Sequence, residues 1–166
     1  LYRIEMRTGR VTDRMALPAT PSATAAFDGR YLHLPLHDTT YAVVDVRERR
    51  VVSRFDTRHP VRAVPLLDAA GAAYVLTEAA TVLRILPDSM ELLAELGGAA
   101  RASLALAANG LLVGRLDGAL FFLDFDGNVV WRKDMDDSID APAAVYDGRV
   151  YVPMLRGELV ALEAAS

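Results

Sequence analysis

The stretch YDGRVYVPMLRGELVALE at residues 146–163 decides the fold of this chain, because an earlier stretch follows the same pattern. Residues 109–124 read NGLLVGRLDGALFFLD, with a glycine turn, an apolar run, a second glycine turn and a second apolar run in the same order. A repeat of this length makes each unit one supersecondary element, which buries its apolar faces only against its neighbours. The pattern therefore predicts an array of similar packed units.

Three turn signals recur along the chain, at spacings of 38 to 42 residues. The first is a tight glycine turn, and Asn-Gly and Asp-Gly pairs there favour type I′ hairpins, which need positive φ at both central residues. Its glycines are Gly29, Gly71, Gly110 and Gly148. The second turn begins at Asp38, Ala79, Asp117 and Arg156, and the third at Thr8, Glu48, Asp88 and Asp126. These turns divide each unit into strand-sized segments.

The segments between the turns are short and rich in Val, Leu, Tyr and Phe, which is typical of strands. One segment in each unit is small and apolar, at 23–27, 63–67, 103–107 and 143–146. The best helical candidate, residues 90–96, is stopped by Gly97-Gly98 after two turns, and its place in the repeat predicts a strand. Serial four-stranded units of about forty residues are typical of β-propeller blades, with the small-residue strand innermost.

The fold class predicted is therefore all-β, with propeller blades of four antiparallel strands. The predicted boundaries are a partial blade at 1–17, blades at 18–55, 56–96 and 97–133, and a partial blade at 134–166. The chain starts and ends in the third strand of a unit, and Leu1 already lies in a strand-like run. We expect a piece of something longer or a processed product, forming part of a larger ring, with open sheet edges that need covering.

Composition excludes several classes of protein. The hydrophobic fraction of 52% is that of a chain with a real core, and the net charge of −4 argues against a nucleic-acid binder or a polybasic membrane-surface protein. The apolar runs are too short to span a bilayer. The sequence has no cysteine, which removes disulfides, thiolate nucleophiles and zinc–thiolate sites and leaves the compartment open.

The last units resemble a known family. Residues 123–131 read LDFDGNVVW, followed by DGRVYV at 147–152 and GELVAL at 157–162. This order of apolar strand, acidic residue, glycine turn and closing Trp resembles the repeat of the pyrroloquinoline-quinone (PQQ)-like propellers. That superfamily includes quinoprotein alcohol dehydrogenases and the periplasmic scaffold lipoproteins of outer-membrane assembly. The resemblance covers nearly the whole chain and is strongest over residues 108–163.

The resemblance implies a role for particular residues. In the family the Trp docks one blade on the next, and Trp131 matches it, with Phe55 and Leu96 at the Trp position of earlier units. The glycines of the first turn complete this structural set. The quinoprotein enzymes also need a ring of adjacent cysteines, a calcium-ligand set and a catalytic Asp, and no such set can be placed here. The resemblance thus implies the non-catalytic branch, no cofactor and a periplasmic or extracytoplasmic location.

Two acidic stretches are candidate binding sites. Residues 124–128, DFDGN, resemble the start of a calcium loop, but the glycine is misplaced and Met135 stands where a Glu ligand is needed, so we interpret them as a hairpin turn. Residues 134–140 hold the densest acidic cluster, which could bind a divalent cation or contact a basic partner and which we interpret as a solvated loop between the outer and inner strands. The weak partner-contact candidates are Asp134, Asp136, Asp137 and Asp140. No metal site is predicted.

The histidines and basic clusters give weaker signals. His37 beside Asp38 suggests an acid–base pair, with Ser22 or Ser53 as a nucleophile, but no nucleophile-elbow pattern is present. His33, between two leucines, is interpreted as part of a polar strand face. The basic clusters at 47–50 and 58–62 are interpreted as exposed hairpin tips rather than anion sites.

The function that these observations favour is non-enzymatic: a scaffold or recognition module whose loops, held on a rigid frame, contact a protein partner or the remaining blades of the same propeller. Two alternatives stay open at this point. One is a sector of a quinoprotein-like dehydrogenase whose cofactor ligands lie on other blades. The other is an extracytoplasmic sensor domain of a larger receptor.

Overall fold

A computed structural model describes residues 1–102 and 104–163, which form seventeen strands in five antiparallel sheets. The first sheet has β1 (Tyr2–Ile4) and β2 (Val11–Arg14), and the next has β3 (Ala26–Phe27), β4 (Tyr31–Pro35), β5 (Thr40–Asp45) and β6 (Arg50–Asp56). The third sheet has β7 (Leu66–Leu67), β8 (Ala73–Leu76), β9 (Thr81–Ile85) and β10 (Met90–Glu95). The fourth sheet has β11 (Ala105–Ala107), β12 (Gly110–Gly114), β13 (Ala119–Leu123) and β14 (Val129–Asp134). The last sheet has β15 (Ala144–Tyr146), β16 (Arg149–Pro153) and β17 (Leu159–Glu163).

Each sheet is an up-and-down meander in which consecutive strands pair. Three sheets have four strands, and the predicted all-β propeller built from four-stranded units is confirmed. The helical alternative at residues 90–96 is wrong, because Met90–Glu95 pairs along β9 as the fourth strand. Strands β6 and β14 run one residue past the predicted unit ends at 55 and 133.

The innermost strands are shorter than predicted. Strand β3 has two residues where five were expected, and the predicted strand at 103–107 begins at Ala105, with Ser103 outside the described residues. The residues before β3 pair with the end of β4 and the turn that follows it. The Ser22 N–H donates to the Pro35 carbonyl at 2.9 Å, and Pro21 forms an isolated bridge with Leu36. The loop into each unit therefore follows the turn between its second and third strands before the first strand begins.

The core lies between successive sheets. The third strands of the three complete sheets are buried on both faces, and Tyr41, Ala42, Val43 and Val44 are all 0% exposed. Successive side chains of a strand point to opposite faces, so Val43 packs towards the following sheet and Val44 towards the preceding one. This explains the continuous apolar runs in the sequence, since a strand covered on both faces has no polar side to alternate with.

The hairpin between the third and fourth strands carries a register shift in each unit where both strands are described. In the first complete sheet the shift falls between Val43 and Val44, and in the third between Phe122 and Leu123. An extra residue on one strand bends the pair and increases its twist. In the second complete sheet the shift falls between Leu92 and Ala94, two positions nearer the start of the third strand, so the bulge recurs but its position varies.

The two ends of the array are open. The first sheet holds a third and a fourth strand, the last sheet holds a first, a second and a third strand, and among the described residues the two sheets do not pair. None of the described residues forms a helix long and apolar enough to cross a membrane.

Candidate functional site

The topology gathers two kinds of loop at one end of the blades. Because the strands alternate in direction, the turns between second and third strands lie at the same end as the connections from a fourth strand to the next first strand. We call this the loop end. Its turns are residues 36–39, 77–80, 115–118 and 154–158, and the described residues of its connections are 15–25, 57–65, 96–102 with 104, and 135–143.

One backbone hydrogen bond recurs four times at the loop end. In each unit a turn N–H donates to a carbonyl of the incoming connection, at 2.8–3.0 Å. The pairs are His37 with Thr20, Glu78 with Pro60, Leu116 with Ala99 and Leu155 with Ser138. The donor–acceptor spacing in sequence is nearly constant, so the repeat itself builds this contact. Each connection is thereby fixed on the turn of its own unit.

Further contacts join the second, third and fourth connections to the turn of the preceding unit. The Ala100 N–H donates to the Glu78 carbonyl at 3.0 Å, and the Ser138 hydroxyl donates to the Leu116 carbonyl. The Thr57 hydroxyl donates to the Thr39 carbonyl at 2.6 Å. Buried backbone groups are expensive to leave unpaired, so these bonds hold neighbouring blades in one geometry. The loop end is therefore a continuous hydrogen-bonded rim.

The predicted acidic cluster lies at the loop end, and its carboxylates have different partners within the chain. Asp137 accepts the Arg156 N–H at 2.7 Å, and this bond lowers the pKa of the Asp137 carboxyl. Asp134, at the end of β14, pairs with Arg132. Asp134 and Asp137 are thus engaged by arginines of the same chain, as is Asp140, and Asp136 is exposed to solvent.

Asp140 differs from the other three acids. Its Oδ2 lies 3.9 Å from the Arg101 guanidinium of the preceding connection, while its Oδ1 is buried with no hydrogen-bond partner among the described residues. An unpaired buried carboxylate oxygen leaves capacity for a further donor. The pair links two neighbouring connections of the loop end.

Ion pairs also form at other positions of the loop end. Arg62 pairs with Glu78 at 2.6 Å, and Arg54 pairs with Asp38. The Asp38 carboxylate therefore pairs with Arg54, and no ion pair joins Asp38 and His37 among the described residues. The cluster at 58–62 lies at the loop end, whereas the cluster at 47–50 lies in a turn at the opposite end of the blades.

His33 contradicts its interpretation as part of a polar strand face. Its side chain is 0% exposed, and neither ring nitrogen has a hydrogen-bond partner among the described residues. Its Nε2 lies 3.7 Å from Asp28 Oδ2, beyond hydrogen-bond distance, and its ring centroid is 6.1 Å from that of Tyr41. Burial lowers the pKa of His33 against the opposing effect of Asp28, and burial also raises the pKa of Tyr41. Sequence missed this buried pair.

Trp131 and Phe55 both lie on fourth strands and both pack towards the following sheet. Trp131 stacks near Phe122, with centroids 5.6 Å apart, and packs on the cluster that includes Val150. It also lines a cavity of about 190 Å³ against the last sheet. Phe55 packs on the cluster that includes Ala73, and Leu96 occupies the corresponding interface one unit later.

The strand pairing shows that Trp131 and Phe55 do not occupy the same position of the repeat, contrary to the sequence-based alignment. Trp131 pairs with Phe122, the fourth residue of its third strand, and the fourth residue of β5 is Val43, which pairs with Ser53. Ser53 therefore occupies the repeat position of Trp131, and Phe55 lies two residues further along. A shift of two residues keeps the same face of a strand, so Phe55 still points towards the following sheet.

The first-turn glycines have different roles. Asp147 and Gly148 have φ of 49° and 69°, the backbone that a type I′ turn requires. Gly110 lacks a positive φ, contrary to its Asn-Gly signal, and a Cβ there would lie 1.9 Å from the Leu123 carbonyl oxygen. It is needed for close approach. Gly29 and Gly71 have φ of 101° and 88°.

The stretch at 124–128 folds as a turn held by its first acid. Asp124 accepts the N–H groups of Asp126 and Asn128, at 3.0 and 2.8 Å, and the Asn128 side-chain amide at 2.9 Å. These bonds lower the pKa of Asp124, led by the Asn128 side chain. In the described part of the chain no group of three or more His, Asp or Glu side chains is placed to hold a metal ion.

Comparisons with known proteins identify the fold. No protein-family model matches the chain, and no curated protein matches its sequence. Among solved structures, BamB from Moraxella catarrhalis, a PQQ-like β-propeller, matches with a TM-score of 0.78 at 18% identity, over 94% of this chain and 50% of BamB. The computationally designed protein Ika8 matches with a TM-score of 0.81 at 17% identity, over 96% of this chain and 51% of Ika8.

The designed protein Ika4 matches with a TM-score of 0.73 at 18% identity, over 90% of this chain and 94% of Ika4. The chain thus spans about half the length of BamB and of Ika8 and nearly the full length of Ika4. At these identities the likeness concerns the fold, and the chain has a β-propeller repeat fold.

Proposed function

We propose that this chain is a non-enzymatic propeller module of the PQQ-like type, and that its loop end recognises a protein partner. The observation that carries the proposal is the hydrogen bond repeated in four units between turn and incoming connection. It holds loops that display charged side chains on a rigid frame, and recognition residues are commonly placed on loops that a scaffold positions.

The charges of the loop end suggest what the partner presents. Connection 135–143 carries Asp136, Asp137 and Asp140 and no Lys or Arg, whereas connection 57–65 carries Arg58 and Arg62 and no acid. A partner segment with basic residues over the first connection and acidic residues over the second would complement this surface. Asp136 and Asp140 are the acids best placed for the basic part, because Asp136 is exposed and Asp140 has an unpaired oxygen.

The structural likeness is consistent with this proposal, since BamB shares the fold. The chain spans half of BamB, so the role of any whole ring is part of the proposal. We also propose that Trp131 and Phe55 dock each blade on the next, which their packing on the following sheets supports. We also propose that the complete blades span residues 18–55, 56–96 and 97–133, with partial blades at 1–17 and 134–166.

Site-specific photo-crosslinking tests the loop end directly. Asp136→p-benzoylphenylalanine places a probe in the acidic connection, and the matched control Asp126→p-benzoylphenylalanine places the same probe at an exposed acid of the opposite end. In extracts of the native host, the Asp136 probe should form one discrete covalent adduct and the Asp126 probe none. Excess parent chain should compete, and the variant D136K/D140K should not.

Two outcomes would count against the proposal. Equal adducts from both positions would mean that the contact is not specific to the loop end. Equal competition by D136K/D140K would mean that the acidic connection does not contribute to recognition.

A further inference from the structure

Arg58 lies at a strained point of the loop end, in the connection at residues 57–65. The His59 N–H donates to the Thr57 carbonyl at 2.7 Å, which closes a three-residue γ-turn with Arg58 at its centre. The φ of Arg58 is 61°, and a γ-turn whose central residue has positive φ is rare and strained. A residue with a Cβ is disfavoured in this backbone conformation, so the presence of an arginine there calls for an explanation.

The repeat shows that this position suits glycine. Thr57 and Leu96 are equivalent, because the N–H of each donates to the last residue of the preceding unit's turn at the loop end, at 2.8 and 3.1 Å. The residues that follow them are Arg58 and Gly97, with φ of 61° and 65°. Glycine adopts positive φ readily, whereas arginine does so only with strain. The first complete unit therefore has arginine where the next unit has glycine in the same conformation.

Hydrogen bonds on both sides hold Arg58 in the strained turn. Thr57, which is 3% exposed, donates its N–H and its hydroxyl to the Thr39 carbonyl, at 2.8 and 2.6 Å. The Arg58 N–H donates to Asp56 Oδ1 at 2.8 Å, and the Pro60 carbonyl accepts an N–H from the turn of its own unit at 2.8 Å. Strained backbone persists only where its surroundings enforce it, and it is concentrated at ligand-binding and other functional sites.

The Arg58 guanidinium is exposed and has no acidic partner among the described residues. The other arginines in the turns and connections of the loop end each pair with an acid of the same chain, and they are Arg62, Arg101, Arg115 and Arg156. Arg58 therefore keeps its side-chain donors available for a group outside the chain. The planar guanidinium matches a carboxylate, which it binds through two parallel N–H bonds.

We propose that Arg58 is the residue with which connection 57–65 binds a carboxylate of an acidic peptide segment in the protein partner. This inference rests on the proposed function for the existence of the partner, and it assigns the acidic part of that partner to one side chain. Arg62 is less suited to this role, because its guanidinium pairs with Glu78 at 2.6 Å. The γ-turn fixes the direction in which the Arg58 side chain leaves the backbone, so less conformational freedom is lost on binding.

Nuclear magnetic resonance titration with a capped hexaglutamate peptide tests the site on the chain itself. The signals of the Arg58 side chain and the His59 amide should shift and saturate, and capped hexaglutamine should leave them unchanged. Arg58→Gly, followed at His59, should weaken hexaglutamate binding at least about tenfold, as expected for the loss of a hydrogen bond to a charged group. Arg58→Lys, which keeps the charge without the planar fork, should bind with intermediate affinity. The control Arg62→Ala should cause a smaller loss than Arg58→Gly.

Thermal unfolding separates recognition by Arg58 from a structural role. Arg58→Gly should raise Tm by about 2–4 °C, because glycine adopts positive φ without strain and the guanidinium has no contact to lose. A lower Tm for Arg58→Gly would mean that the side chain stabilises the fold, which would overturn the inference. The matched control is Thr39→Gly, which relieves a φ of 61° at the same end and should leave hexaglutamate binding unchanged.

The photo-crosslinking probe at Asp136 separates this inference from the proposed function. Arg58→Gly should lower the yield of the Asp136 adduct, although it leaves the probe and its connection intact. An undiminished yield would overturn the inference and leave the proposed function standing. Hexaglutamate binding at Arg58 without any Asp136 adduct would support the carboxylate site and refute the proposed function. Shifts that hexaglutamine reproduces, or that persist in Arg58→Gly, would overturn the inference by themselves.

Discussion

Replacing His33 by Leu should stabilise the protein, although His33 is fully buried. Both imidazole nitrogens lack hydrogen-bond partners among the described residues, and Asp28 Oδ2, at 3.7 Å from Nε2, is too far to bond. Asp28 keeps its own partners without the imidazole, because it accepts the N–H groups of Arg30 and Tyr31. His33→Leu therefore removes two unpaired polar atoms and creates no new one.

The magnitude follows from the burial. An unpaired buried donor or acceptor costs about 1–3 kcal/mol, and repacking a side chain of similar volume costs less than about 1.5 kcal/mol. The net effect expected for His33→Leu at pH 7.5 is a gain of about 1–2 kcal/mol in the free energy of unfolding. For a domain of this length that corresponds to a rise in Tm of about 2–8 °C.

The pH dependence gives a second readout. Burial lowers the pKa of His33 below its unfolded value of 6.5, so as pH falls from 6.5 the unfolded chain takes up a proton that the folded chain does not. The free energy of unfolding is thus unaffected by this titration above pH 6.5 and decreases as pH falls towards the folded pKa, by at most about 1.4 kcal/mol per pH unit. His33→Leu should remove this part of the acid sensitivity.

Urea unfolding at pH 7.5 and pH 5.5 measures both effects. The control is His37→Leu, which makes the same change at an exposed imidazole. The control should leave the stability at pH 7.5 nearly unchanged and retain the parent's acid sensitivity. A loss of more than about 1 kcal/mol on His33→Leu at pH 7.5, or an undiminished difference between the two pH values, would refute the reasoning, because unpaired burial costs about 1–3 kcal/mol.

Three further substitutions test the packing. Trp131→Ala should lower the free energy of unfolding, measured in guanidinium, by about 2–3 kcal/mol, which is less than for a fully buried Trp because Trp131 is partly exposed and borders a cavity. The control is Val130→Ala, at an exposed residue of the same strand. A loss below about 1 kcal/mol would contradict the docking role of Trp131. Gly110→Ala should cost about 3 kcal/mol or more by thermal unfolding, since its Cβ would meet the Leu123 carbonyl, and a neutral result would disprove the close approach. Ser138→Ala should cost about 1 kcal/mol by removing the hydroxyl bond to Leu116, and an unchanged midpoint would show that this bond does not stabilise the loop end.

The fold was predictable from sequence because the turn chemistry repeats. Residues 90–96 have good helix formers, yet their repeat position predicts the strand that the structure contains. Repeat position would also have revealed the burial of His33. The pairs with the innermost strands align His33 with Tyr74, Leu112 and Tyr151, which marks an inward position rather than a polar face.

The candidate site was less predictable because side-chain partners come from distant parts of the chain. The acidic cluster reads as one patch in sequence, but Arg156 and Arg101 engage Asp137 and Asp140 from other loops. The innermost strands were predicted too long because the competing backbone bonds to the next turn are not local in sequence. Pairs between residues that are far apart in sequence form only in the packed array, and the repeat period is the one sequence feature that indicates them.

Amide hydrogen exchange at the loop end tests the central claim that the partner surface is preformed and rigid. The four amides of the repeated bond belong to His37, Glu78, Leu116 and Leu155. In the free protein these amides should exchange as slowly as those of the third strands, because their bonds break only when a connection detaches from the turn of its own unit. Exchange at the rate of an open loop would contradict the account, since the loop end would then be ordered only by its partner.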